Sequence, residues 1–452
     1  MGVSRRAFVG AVGGGALALA GCAALPAFPG AAPSLPQVRV AGLYNAVANG
    51  PSEHLTILLQ QAVDDVVAAH AANLDPRLVW IAVPPGTAGT AGQPYVPGEV
   101  AALGGALDGT AATAGAVPDL VALGNSYVVQ QVAQRRLLRS IDDLLLATSL
   151  VARADYFPGA LAAGQVEGKT YGLPLSITPG VLQYDPALFQ EAKLSPPDGT
   201  WDWKHLLEAC LALTVPPHQY AFAPYGVPDL LVFLWQNGAE VLSPDGKRCT
   251  LTDPAAVQAA SFYGDLFIRH KVVAPTPGGA GQAFGFNPAQ MAYNGARIAL
   301  QFASSFFSLP STRPFRYAEP FRGIAQATTL QLNSLLAMTG RAADPPADFA
   351  AMVALATELQ RRSYLPPLRS LAKVADPAKA GLTLDPAEAT AMVQAATYAR
   401  ASALAPELVS ALADKLETPL RTGSAPPPAA CQAAAAAIDA LLAGRATGGR
   451  SA

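Results

Sequence analysis

The run Leu78-Val79-Trp80-Ile81-Ala82-Val83 contains no charged or hydrogen-bond-seeking residue apart from one indole. A strand with no polar face has to be covered on both sides, as in a parallel sheet sandwiched between helices. Val38-Arg39-Val40-Ala41-Gly42-Leu43 precedes it, and Pro118-Asp119-Leu120-Val121-Ala122-Leu123-Gly124 follows. After the first of these, Ser52 opens an apolar-periodic stretch that continues to about His70 and predicts a helix. Strand, loop, helix and strand in that order predict a parallel α/β class. Residues 84 to 117, rich in Gly, Ala, Pro and Thr, are expected to be partly a small-residue helix and partly loop.

A chain of 452 residues has room for two or three domains of ordinary size. Hydrophobic residues make up 51% and charged residues 14%, which excludes a disordered chain. The 30 basic and 32 acidic residues nearly cancel, so no overall field attracts polyanions and nucleic-acid binding is not expected. Beyond the first thirty residues no run of about 18 uninterrupted apolar residues occurs.

The N-terminus, MGVSRRAFVGAVGGGALALAGCAALP, places Arg5 and Arg6 before an apolar run that ends in small residues. Ser4-Arg5-Arg6-Ala7-Phe8 resembles a twin-arginine export signal, and Leu19-Ala20-Gly21-Cys22 resembles a bacterial lipobox, in which Cys22 is lipidated. Residues 1–21 are therefore expected to be a signal peptide. Residues 22–37 are expected to be a flexible tether from a membrane anchor at Cys22 to an exported body facing the periplasm or cell exterior. Cys210, Cys249 and Cys431 remain; a Cys210–Cys249 bridge and buried free thiols are both compatible with their spacing.

Catalytic patterns are sparse. The five histidines, His54, His70, His205, His218 and His270, form no H-E-x-x-H helix, and no G-x-S-x-G elbow occurs, so no enzyme, metal or cofactor is expected. Ala163-Gly164-Gln165-Val166-Glu167-Gly168-Lys169-Thr170 imitates a phosphate loop, but Tyr171-Gly172-Leu173-Pro174 cannot continue as the helix such a loop needs. A hairpin turn is expected instead. Asn237-Gly238 reads as a helix end and Asp253-Pro254 as a helix start.

Five segments carry a resemblance: "VPDLVALGNSYV…LLRSIDDLL", "GKTYGLPLSITPGVLQYDPALFQEAKLSPPDGTWDWKHLLEA", "FLWQNGAEVLSPDGKRCTLTDPAAVQAASFYGDLFIRHKVVAP", "FNPAQMAYNGARIALQFASSF" and "QLNSLLAMTGRAADPPADFAAMVALATEL". In this order they resemble the extracellular solute-binding proteins of ABC importers, in the sugar-type family. The resemblance implies a periplasmic-binding-protein-like fold: two α/β lobes joined by a multi-crossing hinge, with a ligand cleft between them. It places residues 36–177 and 303–327 in the first lobe and residues 181–298 and 330–445 in the second. It also implies a non-enzymatic, monomeric receptor that closes on a sugar-like solute and delivers it to the transmembrane subunits of a permease. A cell-surface sensor or interaction protein on the same fold, and an exported enzyme on it, are the alternatives.

Sugar recognition needs aromatic faces for C–H surfaces and amides or carboxylates for hydroxyls. The candidates on expected cleft loops are Tyr44 and Asn45 after the first strand, Asn125 and Tyr127 after the third, and Thr178 on the crossing. Tyr184 and Asp185 end the next strand, and Trp235 lies near a helix end. Ser304, Ser305 and Phe306 stand where the family often carries a Gly-Ser-Trp-like turn, and Asn333 follows the later crossing. Trp201 is expected to pack rather than bind, Trp203 fits core or surface, and Asp142-Asp143 is expected to cap a helix and face solvent. Tyr184-Asp185 stands where the family usually has Tyr-Asn, so the ligand class stays open between oligosaccharide, polyol, glycerol phosphate and something less polar.

Overall fold

Strands lacking a polar face need cover on both sides, and the N-terminal apolar runs receive it. The computed structural model describes residues 37–45, 51–69, 75–83, 96–108, 117–124, 126–224, 226–273, 297–303, 315–363, 365–373, 384–402 and 404–448. Among them the strands in chain order are β1 (Gln37–Asn45), β2 (Asp75–Val83), β3 (Leu120–Leu123), β4 (Gln165–Val166), β5 (Lys169–Thr170) and β6 (Gly172–Pro179). They continue with β7 (Val181–Tyr184), β8 (Gln219–Ala223), β9 (Arg297–Ala303), β10 (Arg316–Ala318), β11 (Thr328–Met338) and β12 (Ala399–Arg400). The signal, the tether up to residue 36 and Cys22 lie outside the described residues.

The first sheet runs β12-β11-β3-β1-β2, with β6 also on β11. β1 is parallel to both β2 and β3, as the two-faced apolar runs require. One face is covered by helices Pro51–Ala68 and Pro345–Arg362, through Leu59, Val63, Met352 and Leu355. The other is covered by Val96–Asp108 and Ser126–Gln134, through Leu103, Val129 and Val132. The second sheet runs β10-β7-β9-β8. Leu182, Phe222, Leu300 and Phe302 on its strands share a separate core with helices Trp203–Leu213, Val227–Gln236, Pro254–Ile268 and Pro427–Gly448.

The chain passes between the sheets at two described places. β6 ends in the first sheet at Pro179 and β7 begins in the second at Val181, with Gly180 alone between them. The return runs from β10 in the second sheet to β11 in the first. These crossings are stitched together: the Gly180 N–H donates to the Thr329 carbonyl at 2.6 Å, and Thr328 Oγ1 donates to the Gly180 carbonyl at 2.9 Å. A Cβ at position 180 would stand 2.5 Å from Thr328 Oγ1 and 2.6 Å from Thr329 Oγ1, so the close approach needs glycine.

Strand pairing corrects the expected lobe boundaries. Of residues 303–327, expected in the first lobe, β10 pairs with β7, and Phe321 and Ala327 pack in the second core. Of residues 330–445, expected in the second, β11 and helix Pro345–Arg362 belong to the first sheet. Helix Pro386–Tyr398 touches both, with Met392 and Ala395 against Val181 and Ala396 in the first sheet's core. From Ala405 onward the chain completes the second core through Leu408, Leu416, Cys431 and Ile438.

Local expectations fare better. The imitation phosphate loop is the β4–β5 hairpin, turning through Glu167 (φ 51°) and Gly168 (φ 75°). Gly238 ends its helix at φ 73°, and Pro254 follows Asp253 at the start of the next. Cys210, Cys249 and Cys431 are buried free thiols, and burial pushes the Cys431 thiol up to about 11. Trp201 packs against Phe189, and Trp203 stacks on Phe262 at 4.6 Å while donating to Gln236 at 2.7 Å. The expected cap at Asp142-Asp143 is not made: Ile141 stands at the N-cap without a side-chain cap, both acids sit in the first turn of helix Asp142–Ala147, and Asp142 accepts the Thr170 N–H of the hairpin at 3.1 Å.

Candidate functional site

In an open α/β sheet, ligands gather beyond the carboxyl ends of parallel strands, where the chain order reverses. Here that end is carried by β1 and β3, which finish side by side at Asn45 and Leu123. Tyr44 and Asn45 thus occupy the expected sheet end by their backbone, and the Ser126–Gln134 helix that contains Tyr127 starts there. The side chains of Tyr44, Asn45 and Tyr127, and all of Asn125, lie outside the described residues.

β11 runs antiparallel to β3 with Leu335 opposite Leu123, so Asn333 comes to the same sheet end. The β11–β6 register pairs Leu332 with Ile177 and Ser334 with Ser176, skipping Asn333. A bulge of this kind re-aims a side chain that a regular ladder would have turned to a packed face. The Asn333 amide donates to Thr178 Oγ1 at 2.8 Å and reaches Ser176 Oγ at 3.4 Å. Thr178 itself is buried, two residues before the Gly180 crossing.

A matching set stands on the other side of Gly180. Gln183 pairs with Gln301 across β7 and β9 and with Tyr317 across β7 and β10. Both glutamines are buried, and the Gln301 amide donates to Gln183 Oε1. Burial raises the Tyr317 hydroxyl, the Glu388 carboxylate adds to that, and a hydrogen bond with Gln183 opposes it. β9 ends at Ala303 opposite Val181, and Ser304, Ser305 and Phe306 lie outside the described residues.

Ser176, Gln183, Gln301 and Tyr317 were not singled out from the sequence. Its signal was a glutamine inside each of two apolar strands, V-L-Q-Y and I-A-L-Q-F-A. The arrangement offers neutral donors and acceptors, suited to hydroxyl groups. The nearby cation is engaged: Arg316 pairs with Asp385 and lies 3.5 Å from Glu388. These two acids form the capping box of helix Pro386–Tyr398. Among the described residues no group of three or more His, Cys, Asp or Glu could hold a metal ion, and no helix is long and apolar enough to cross a membrane.

Three candidates have other duties. Asp185 is buried and caps helix Pro186–Glu191, accepting the N–H groups of Ala187 at 2.9 Å and Leu188 at 3.3 Å. Proline at the first helical position makes that role local and legible. Tyr184 ends β7 away from Gly180, half-buried and edge-on to Phe189 at 5.5 Å; burial raises its hydroxyl while Arg316 opposes. Trp235 is 6% exposed in the second core, with the Arg400 guanidinium 4.7 Å from its ring centroid.

The model of the bacterial extracellular solute-binding protein family matches residues 104–314. A Brucella abortus (strain 2308) protein named as a binding protein is 26% identical over 164 residues, covering 34% of this chain and 37% of that protein's length. The cyclic alpha-maltosyl-1,6-maltose binding protein from Arthrobacter globiformis superposes with a TM-score of 0.66 at 20% identity, over 90% of this chain and 98% of that one. UgpB from Mycobacterium tuberculosis, in complex with glycerophosphocholine, superposes with a TM-score of 0.63 at 19% identity, over 90% and 99%. These likenesses establish the fold. The family match covers strands of both sheets, from β3 to β9, so in fold and over this stretch the chain is similar to the bacterial extracellular solute-binding proteins.

Proposed function

We propose that this protein is a lipid-anchored receptor of an ABC importer that captures a hydroxyl-rich, sugar-like solute beside the Gly180 crossing and presents it to a permease. The observation that carries the proposal is the neutral amide and hydroxyl set astride Gly180, with Asn333 turned by the bulge onto Ser176 and Thr178. Relatives in fold named for a maltosyl-maltose and solved with glycerophosphocholine support a polyhydroxyl solute. Thr178 and Asn333 supply hydrogen bonds from the first sheet. Tyr44, Asn45, Asn125, Tyr127, Ser304, Ser305 and Phe306 are assigned to the same solute on the sequence. The sheets rotate about the stitched crossings to enclose the solute, in the manner of hinge closure. The receptor works as a monomer outside the cytoplasmic membrane, held by the lipid on Cys22, and captures without catalysis.

Titration calorimetry and small-angle scattering across maltodextrins, polyols and glycerophosphodiesters test the capture. One class should bind and compact the protein, and Asn333→Ala should weaken that binding about tenfold, the worth of one well-made polar contact. No heat and no compaction with any member would end the sugar-like reading.

A further inference from the structure

We infer that helix Pro386–Tyr398 is a strap on the far side of the hinge from the solute site, and that its ties to β10 hold the receptor open and set how readily it closes. The inference rests on the solute site and the hinge closure proposed above. By its backbone and its small side chains the strap belongs to the first sheet. Ala396 packs in that sheet's core with Ile177 and Leu330, and the helix runs on into β12, which pairs with Thr328 and Thr329 of β11. The fit at that end is tight: a Cβ at Gly159, in helix Pro158–Ala162, would stand 2.4 Å from the Ala399 carbonyl oxygen.

Polar side chains at both ends of the same helix hold it to the second sheet. At its start Arg316 of β10 pairs with Asp385, and the Tyr317 N–H donates to Glu388 Oε1 at 3.1 Å. At its end the Tyr398 hydroxyl donates to Oε2 of Glu319, one residue past β10, at 3.1 Å. Burial and the Glu319 carboxylate both raise the Tyr398 hydroxyl, so it stays a donor at neutral pH. Between these ties Met392 and Ala395 rest on Val181, next to the Gly180 crossing.

Position gives the ties their sign. Leu335 to Ala337 of β11 pair with β3 on one side and with β6 on the other, so β6 lies on the flank away from β3 and β1, whose ends carry the solute site. β10 is likewise the edge of the second sheet, separated by β7 from β9 and β8. The strap touches both β6 and β10, so the Gly180 and Thr328 crossings stand between it and the solute site. A rotation that narrows the gap on the site's side of those crossings widens it on the strap's side and draws β10 away from the helix. The ties are made in the open arrangement and lost on closure, so they bias the receptor toward the state that binds solute less well.

Asp385→Asn with Tyr398→Phe removes two ties while asparagine still caps the helix. Spin labels at Gln61→Cys and Lys204→Cys, exposed positions on helices of the first and second lobe, read the lobe arrangement without solute in a Cys22→Ser background. The native Cys210, Cys249 and Cys431 are buried and stay unlabelled. The minor interlobe distance should gain about threefold in population, and the maltodextrin, polyol or glycerophosphodiester that binds the parent should bind about threefold tighter. In a second variant, Glu319→Cys and Tyr398→Cys are joined by a short cleavable bis-maleimide. The linked protein should bind the same compound at least tenfold more weakly than before linking, and cutting the linker should restore the affinity. An unchanged distance distribution, weaker binding by the double variant, or equal binding before and after linking overturns the inference. If no compound of the panel binds the parent, the solute reading fails by itself, and the distances still decide the strap.

Discussion

Replacing Trp235 with alanine is expected to destabilise the unliganded protein by about 3–5 kcal/mol, the usual cost of emptying a large aromatic site. The indole is almost fully enclosed in the second core, next to Phe233, Leu234 and Ala239. Its remaining face lies under Arg400, whose Nη2 is held by Glu240 at 2.6 Å. Denaturant unfolding should show the midpoint falling, while the folded fraction keeps the solute affinity of the parent. A variant as stable as the parent but blind to solute would restore Trp235 to the site.

Asp348→Asn is expected to stabilise the protein at pH 7.5 by about 2–3 kcal/mol, and to leave it unchanged near pH 4. Burial, then the Asp119 carboxylate and more weakly that of Asp344, push the Asp348 carboxyl up to about 6, against the Asp344 N–H and Arg39. In the unfolded chain an aspartate titrates near 3.9. The native state therefore holds a proton that the unfolded state has lost, and its advantage fades as pH rises from about 4 through about 6. Asparagine imitates the protonated form and can still accept the Asp344 N–H, which reaches Asp348 Oδ2 at 3.1 Å. Unfolding curves at both pH values decide the matter. Equal or lower stability of the variant at pH 7.5 would show that the Asp348 charge is not a burden there.

The parallel core of the first sheet was legible because Leu78 to Val83 and Leu120 to Leu123 have no face fit for water, and only a covered parallel sheet tolerates that. The resemblance, rather than local pattern, made a division near 177–181 legible, whereas at Thr328 the chain enters the first sheet where the resemblance has it leave that lobe, and β9 runs unbroken through the expected passage at 298–303. The assignment of the chain between and after these points was not legible. β10 is three residues long in a stretch that reads as loop, and nothing in Arg316-Tyr317-Ala318 announces pairing with Gln183. Trp235 misled for a different reason. Every residue the structure describes in Val227–Gln236 except Pro228 is buried, so the helix has no polar side from which an inward or outward face could be read. The bulge at Asn333 depends on register with a strand some 150 residues earlier, which local pattern does not encode.

The position of β11 in the first sheet also has a consequence for synthesis. Its residues pair with β3 through Leu335 to Met338 and with β6 through Leu330 to Ala337. While the ribosome is still short of Thr328, those earlier strands stand with bare edges, and long-range pairing of this kind forms slowly. The nascent chain thus carries its most adhesive surfaces unprotected through most of its translation. Shortening the gene from its 3′ end would make that interval permanent: fragments ending before Thr328 should accumulate as aggregates. Fragments ending between Arg400 and Pro406 should close the first sheet yet leave the second core without Leu416, Cys431 and Ile438.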